Sequence, residues 1–568
     1  MTERSRFSSV LFPVLFLFFY AVSADAAYRP MDAIPQARTD AFYVVGELRD
    51  LKEMTSRLSY SFAVNRASAE TNALKYFPRW LRNSPVQQAA FLIDFSPLKS
   101  KKFDDVVRLN IALSFGEEQA ALLKKIQRKK ATPEEIYRLL FADEFLDKML
   151  SDPEQRESAD FLRIRPSEKG RNEYLLDTLD MKMTARGNLL LISIESGLEE
   201  MMRALNTPSL RHEEKRALPR ENSVVMQMGE ELMETIQPKM KEVLPYKTET
   251  GAVRFETSIT LQDNGWDLRA VTNLPDLVIS PADAEGLSQP LAEGAFLSAG
   301  GQVPFMATAW HLAPSRIQRA INENKLPTAL WLDVASKKYN NAKNASGKNP
   351  FEEAKNILSY LKKRDPNGNL FKIFNTVSLV SAGEKLEKGS YYLALTKGDA
   401  AAVALLDQYL SGYIQKNNAS KRYKRTTPQG WDAVYTLNMP NKAGDKNLLL
   451  ALRKDQVLLG WMDSKQLNTP LNTSGKMLED LIANRTLSEF IYFDVEKLRG
   501  FAWEKLLSDD AQKSIRSERD RYFLSRMLLL LTDIKEIGVG TTSIHDFNFR
   551  FITGQPSDAE KVKLLTLP

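Results

Sequence analysis

Apolar and polar positions alternate in short runs along much of this chain, and most runs end at a turn signal. FETSITLQDNG followed by Trp266-Asp-Leu-Arg-Ala-Val-Thr272 reads as a β-hairpin, with Asn264-Gly265 as its turn. VGTTSIHD followed by Phe547-Asn-Phe-Arg-Phe-Ile-Thr553 reads the same way. Met183–Ile194 and Ala451–Met462 each read as strand, polar turn, strand. Helical spacing takes over elsewhere. Thr132-Pro-Glu-Glu135 is a capping box with Pro in the first turn. Asn349-Pro-Phe-Glu-Glu starts a helix that stops at Asp365-Pro-Asn-Gly368. Val225, Gly229, Leu232 and Ile236 fall on one helical face that Pro238 limits, and Tyr522–Leu531 is the matching segment before the last hairpin. The expected class is α+β, with mainly antiparallel sheets covered by helices on one face.

The pattern recurs. Ile111-Ala-Leu-Ser-Phe-Gly-Glu117 and Leu393-Ala-Leu-Thr-Lys-Gly-Asp399 share a strand, a glycine turn and an acid at a helix start. The two hairpins form a second pair, and Met183–Ile194 with Ala451–Met462 a third. Phe91-Leu-Ile-Asp-Phe with Leu330-Trp-Leu-Asp-Val is the fourth, and Tyr43-Val-Val with Phe305-Met-Ala the fifth. Five pairs in one order predict two tandem, similar domains, 27–280 and 304–568, joined by a Pro- and Gly-rich linker at 281–303.

The N-terminus has its own pattern. Arg4 and Arg6 precede the apolar run Val10–Val22, and Ala24-Asp25-Ala26 follows. These are the three regions of a signal peptide, 1–26, cleaved between Ala26 and Ala27. The run is shorter than the ~20 residues a membrane span needs, so no span is expected in the mature chain. Composition adds a compartment. The 568 residues include no cysteine, so stability comes from packing without disulfides. Together these predict an exported bacterial protein of the cell envelope, periplasmic or extracellular. Lys and Arg number 78 against 72 Asp and Glu, and a net charge of +6 makes a weak field over this length.

Candidate chemistry is sparse. The three histidines, His212, His311 and His545, lack metal-site spacing, and no nucleophile elbow, phosphate loop or dinucleotide fingerprint occurs. Asp94, Asp333 and Asp494 each end an apolar run. They suit helix or turn capping, or else a pair of general acid and base carboxylates. Met226, Met228, Met233 and Met240 suit a core or an adaptable apolar groove. The basic clusters KKIQRKK (124–130) and KRYKR (421–425) read as solvated faces, and export argues against nucleic acid. The expectation is a non-catalytic binding or scaffold protein with an envelope protein, lipid or glycan as partner. No catalytic, cofactor-binding or metal-binding residue is assigned, and no cofactor is expected. The alternatives are a carboxylate-based hydrolase and a carrier of an apolar ligand.

Overall fold

The structure is a computed structural model. It describes residues 28–36, 40–46, 84–94, 108–140, 164–167, 173–176, 181–194, 197–211, 223–230, 251–273, 288–291, 303–312, 350–384, 389–417, 423–437, 447–468, 476–506 and 531–555, with isolated positions 53, 54, 57, 232, 233, 419 and 528. Helices and antiparallel strands are mixed, so the class is α+β. The chain divides into two compact units. The first holds Met1–Ser280, Arg519–Ile534 and Arg550–Pro568, and the second Pro281–Glu518 and Lys535–Phe549.

The first unit contains β1 (Asp40–Val45), β2 (Val86–Asp94), β3 (Arg108–Phe115), β4 (Ile164–Pro166), β5 (Tyr174–Leu176), β6 (Met181–Arg186), β7 (Leu189–Ile194), β8 (Ser223–Met228), β9 (Val253–Gln262) and β10 (Gly265–Thr272). Their order across the ladder is β4-β5-β6-β7-β3-β2-β1-β8-β9-β10, antiparallel throughout. Among the described residues, the helices that accompany them are α1 (Ala120–Gln127), α2 (Pro133–Leu140) and α3 (Gly197–Asn206).

Side chains alternate across a strand, so the central strands of this ladder, apolar at successive positions, have two buried faces. On one face Phe91, Ile111, Ile192 and Met183 join Leu123 and Ile126 of α1 and Ile136 and Leu139 of α2. On the other, Ala90, Leu92, Ala112, Leu189 and Leu191 join Leu198, Met201 and Leu205 of α3 and the turn at Met31–Ile34. Cover on one face only was expected. The unbroken apolar run Leu189–Ile192 is the sign that both are buried.

In the second unit, β11 is Pro304–His311, β12 Thr376–Ala382, β13 Ser390–Thr396, β14 Tyr423–Thr426 and β15 Ala433–Leu437. β16 is Asn447–Arg453, β17 Gln456–Met462, β18 Glu489–Asp494 and β19 Ile534–Ser543, and β20 (Asp546–Thr553) follows, its residues from Arg550 belonging to the first unit. The ladder runs β14-β15-β16-β17-β13-β12-β11-β18-β19, again antiparallel. Lowering each number by ten returns the succession of the first unit. The helices are α4 (Pro350–Arg364), α5 (Ala400–Lys416), α6 (Lys476–Ala483) and α7 (Val495–Leu506).

Local chemistry fixes the ends of these elements. At α2, Thr132 N–H donates to Glu135 Oε2 at 2.9 Å, and Glu135 N–H donates to Thr132 Oγ1 at 3.2 Å. Asp399 caps α5 by accepting the N–H groups of Ala401 and Ala402. After α4, the Asp365 carboxylate accepts from Asn369 and Leu370 N–H, and Gly368 takes φ +70°.

Two local expectations change. Val225 lies on a strand rather than a helix, because Ser223–Met228 pairs on one side with β1 and on the other with β9. Adjacent β-branched Val224 and Val225 favour that state. Helix begins only around Glu230–Met233, and Ile236 and Pro238 lie outside the described residues. The β9–β10 turn is Asp263-Asn264, one residue earlier than expected, since Gln262 faces Gly265. Gly265 meets a different demand: the backbone of Phe551 occupies the space a Cβ would take. Residues Arg550–Thr553 run beside β10, with Trp266 stacked on Phe551 at 5.1 Å and Arg550 Nε donating to Asp267 at 2.9 Å.

Candidate functional site

Of the three aspartates, Asp494 is described most fully. It ends β18 and its Oδ1 accepts Lys497 N–H at 2.8 Å, an N-cap for α7. Asp94 ends β2 and is buried, with Asp40 and Arg108 as its ladder neighbours. Asp333 lies outside the described residues, as do Ala26, Ala27, His212 and Met240. Asp94 belongs to the first unit and Asp494 to the second.

Sequence reading missed the acid beside Asp494. Glu536 of β19 stands opposite it in the ladder. Burial raises the proton affinity of Asp494 despite the Lys497 N–H and the Lys497 and Arg499 charges. Burial raises that of Glu536 as well, reinforced by the Asp494 and Glu496 charges. Glu536 Oε2 is shut off from solvent without a hydrogen-bond partner. Two acids with raised proton affinity can hold a proton between them, which costs less than two buried charges. No alternation rule pairs a residue of β18 with one of β19 more than forty positions away, so spacing carried no signal for it.

His311, at the end of β11, is also buried, and burial lowers its proton affinity. His545 lies in the turn before β20. Among the described residues, no three or more His, Cys, Asp or Glu side chains gather as a metal set. Where they are described, the basic clusters make surface contacts with neighbouring elements. Lys125 pairs with Glu135 at 2.6 Å, Lys129 donates to Ser167 O, and Arg425 grips Asp407 of α5 through two bonds. Met226 and Met228 sit on β8, and Met233 is buried.

The second feature is a surface. Two cross-strand rows of the second unit run over β12, β13, β17 and β16. One is Leu379, Leu393, Leu459 and Leu450, continued by Tyr435 of β15. The next is Ser381, Tyr391, Trp461 and Leu448, whose β15 position, Leu437, pairs with Tyr423 of β14. The neighbouring row, Val377, Leu395, Val457 and Leu452, is closed by Ala402, Val403 and Leu410 of α5. Cover fails beyond it: Leu459 and Trp461 are each 39% exposed. Tyr391, Leu393, Leu448 and Leu450 are half-buried. The sequence QVLLGWM carried a signal, since Val457, Leu459 and Trp461 alternate with Leu458, Gly460 and Met462, which leaves both faces of the strand apolar.

No protein-family model matches the chain, and no curated protein matches its sequence. Two solved structures show a slight likeness. Crystal form III of TP0453 is 10% identical, with 47% of this chain and 90% of that one covered at a TM-score of 0.25. Crystal form I of TP0453 is 11% identical, with 44% and 80% covered at a TM-score of 0.22. Likeness this slight bears on neither fold nor function. No helix among the described residues is long and apolar enough to cross a membrane.

Proposed function

We propose that this is an exported bacterial envelope protein that binds a partner without catalysis, built from two copies of one domain. The duplication reading is supported by the shared strand succession. It is supported again by equivalent details: register aligns Gly187 with Lys454, and both turn residues have positive φ (+60° and +43°). Register also aligns Tyr174 with Tyr435, and each hydroxyl ties the sheet to the segment after β3 or β13. The alignment revises one of the five sequence pairs and, separately, the match of the Val225 segment with Tyr522–Leu531. β2 corresponds to β12 rather than to Leu330–Val334, and β8 corresponds to β18 rather than to Tyr522–Leu531.

The observation that carries the binding reading is the exposed pair Leu459 and Trp461: the first-unit counterpart of Leu459, Ile192, is buried with its whole row, and that of Trp461, Ile194, is half-buried. Apolar side chains exposed in adjoining rows support a binding face, where single ones such as Leu210 and Leu358 do not. The N-terminal pattern supports export. The test is native mass spectrometry of the mature protein from its own envelope fraction. A complex with a second protein, on a chain beginning at Ala27, supports the reading. A chain that retains its first 26 residues removes export, and one that carries no partner removes binding.

A second reading has one observation in its favour. The Asp494–Glu536 pair holds raised proton affinities, which suits acid catalysis. Asp494→Asn would abolish any hydrolysis by that pair while leaving the α7 cap in place.

A further inference from the structure

We infer that the uncovered rows of the second unit receive an amphipathic helix from a partner protein; this rests on the binding reading above. The first unit supplies the argument, because it displays the same surface with its cover in place. There Phe91, Ile111, Ile192, Met183 and Tyr174 form the row equivalent to Leu379, Leu393, Leu459, Leu450 and Tyr435. All five are buried, Ile192 at 5% exposure and Tyr174 at 0%.

The cover comes from the connection between β3 and β4. It leaves α1, is pinned where Tyr174 Oη meets Ala131 N–H and C=O at 3.0 and 2.9 Å, and enters α2. Ile136 and Leu139 of α2 then complete the buried cluster that holds Ile192, Met183 and Met181. The outer side of α2 carries Glu134 and Arg138, joined as an i, i+4 pair.

The corresponding connection in the second unit is shorter, 397–422 against 116–163, and α5 is its helix. Tyr435 is bonded to Asp407 and Ser411 within α5, whereas Tyr174 is bonded to Ala131, between α1 and α2. Among the described residues, the second unit shows no counterpart of α2 over these rows. A segment with α2's character fits: apolar residues three and four apart, acids in the first turn, a polar back. Trp461 and Tyr391 give the rows the large amphipathic side chains that anchor interfaces.

The probe is a synthetic peptide carrying Thr132–Leu140, held helical by a side-chain lactam and labelled for fluorescence anisotropy. It is titrated with the full mature chain. Saturable binding is expected, weakened about tenfold or more by Leu459→Ser or Trp461→Ser and lost when Ile136 and Leu139 of the peptide become Ser. Both chain substitutions fall on exposed side chains, and unchanged thermal unfolding confirms that the variants fold. Absence of binding, or binding indifferent to both substitutions, overturns the inference. Sedimentation of the chain with anionic phospholipid vesicles that depends on Trp461 also overturns it, since the surface would then serve a membrane. A native envelope complex retained by both variants would leave the binding reading standing and remove this surface from it.

Discussion

Two strands that occupy the same place in the two units, β7 and β17, meet different surroundings. Leu189–Ile194 is buried to its last residue, which is half-exposed. Gln456–Met462 alternates, with Leu459 and Trp461 open to solvent between buried Leu458, Gly460 and Met462. Both are apolar on both faces, so the strand sequence alone does not decide burial. The connection laid over it decides: α1 and α2 in one unit, α5 in the other. Similar ladders can thus carry a closed core and an open face.

The largest test of that contrast is a matched truncation. Ile192→Ala should cost about 2–5 kcal/mol, the usual loss for emptying a packed site, and Leu459→Ala should cost less than about 1 kcal/mol. Denaturant unfolding that reports equal losses would break the comparison. The paired tyrosines give the next effect. Tyr174→Phe leaves Ala131 N–H and C=O unpaired in a buried setting and should cost about 1–3 kcal/mol. Tyr435→Phe should cost less, because Asp407 keeps both Arg425 bonds. A larger loss at Tyr435 would show that α5 depends on its tyrosine more than α2 does.

Acidity sharpens the comparison further, since the described carboxylates with raised proton affinity, Asp494, Glu536 and Glu489, lie in the second unit, whereas Glu135 of the first is lowered by its Lys125 hydrogen bond. An acid that binds its proton more tightly when folded contributes stability at low pH. That contribution is lost as pH rises from the unfolded value, ~4, through the folded one. Glu536→Gln should therefore raise the melting temperature at pH 8, with the gain fading toward pH 4. His311 has the opposite sign. Burial depresses its affinity, so stability should fall as pH drops below about 6.5, and His311→Gln should flatten that limb. The smallest effect belongs to the half-exposed pair Asp267–Arg550: Asp267→Asn should cost under about 1 kcal/mol and matter least at high salt.

The sequence made the element types legible where local chemistry decides them. The Thr132 box, the stop at Asp365–Gly368 and the alternating strands around β9 and β10 all rest on interactions within a few residues. Three of the five paired segments, those at β3, β6–β7 and β10, name equivalent strands. The β1 pair does too, though register moves Tyr43 from Phe305 to Thr308. The misses depend on distant partners. Val225 looks helical until β1 and β9 flank it. Gly265 looks like a turn glycine until Phe551 lies against it. Glu536 means little until the ladder sets it beside Asp494, and Leu459 and Trp461 look like core until α5 is seen to stop short of them.

The most direct measurement is hydroxyl-radical footprinting of the intact mature chain, read residue by residue by mass spectrometry. Trp461 and Tyr391 should be modified at least about tenfold faster than Tyr174, Met181 and Met183, which hold or neighbour the equivalent positions of the first unit. Protection of Trp461 to the level of Tyr174 would contradict the account, because the second unit would then be closed like the first.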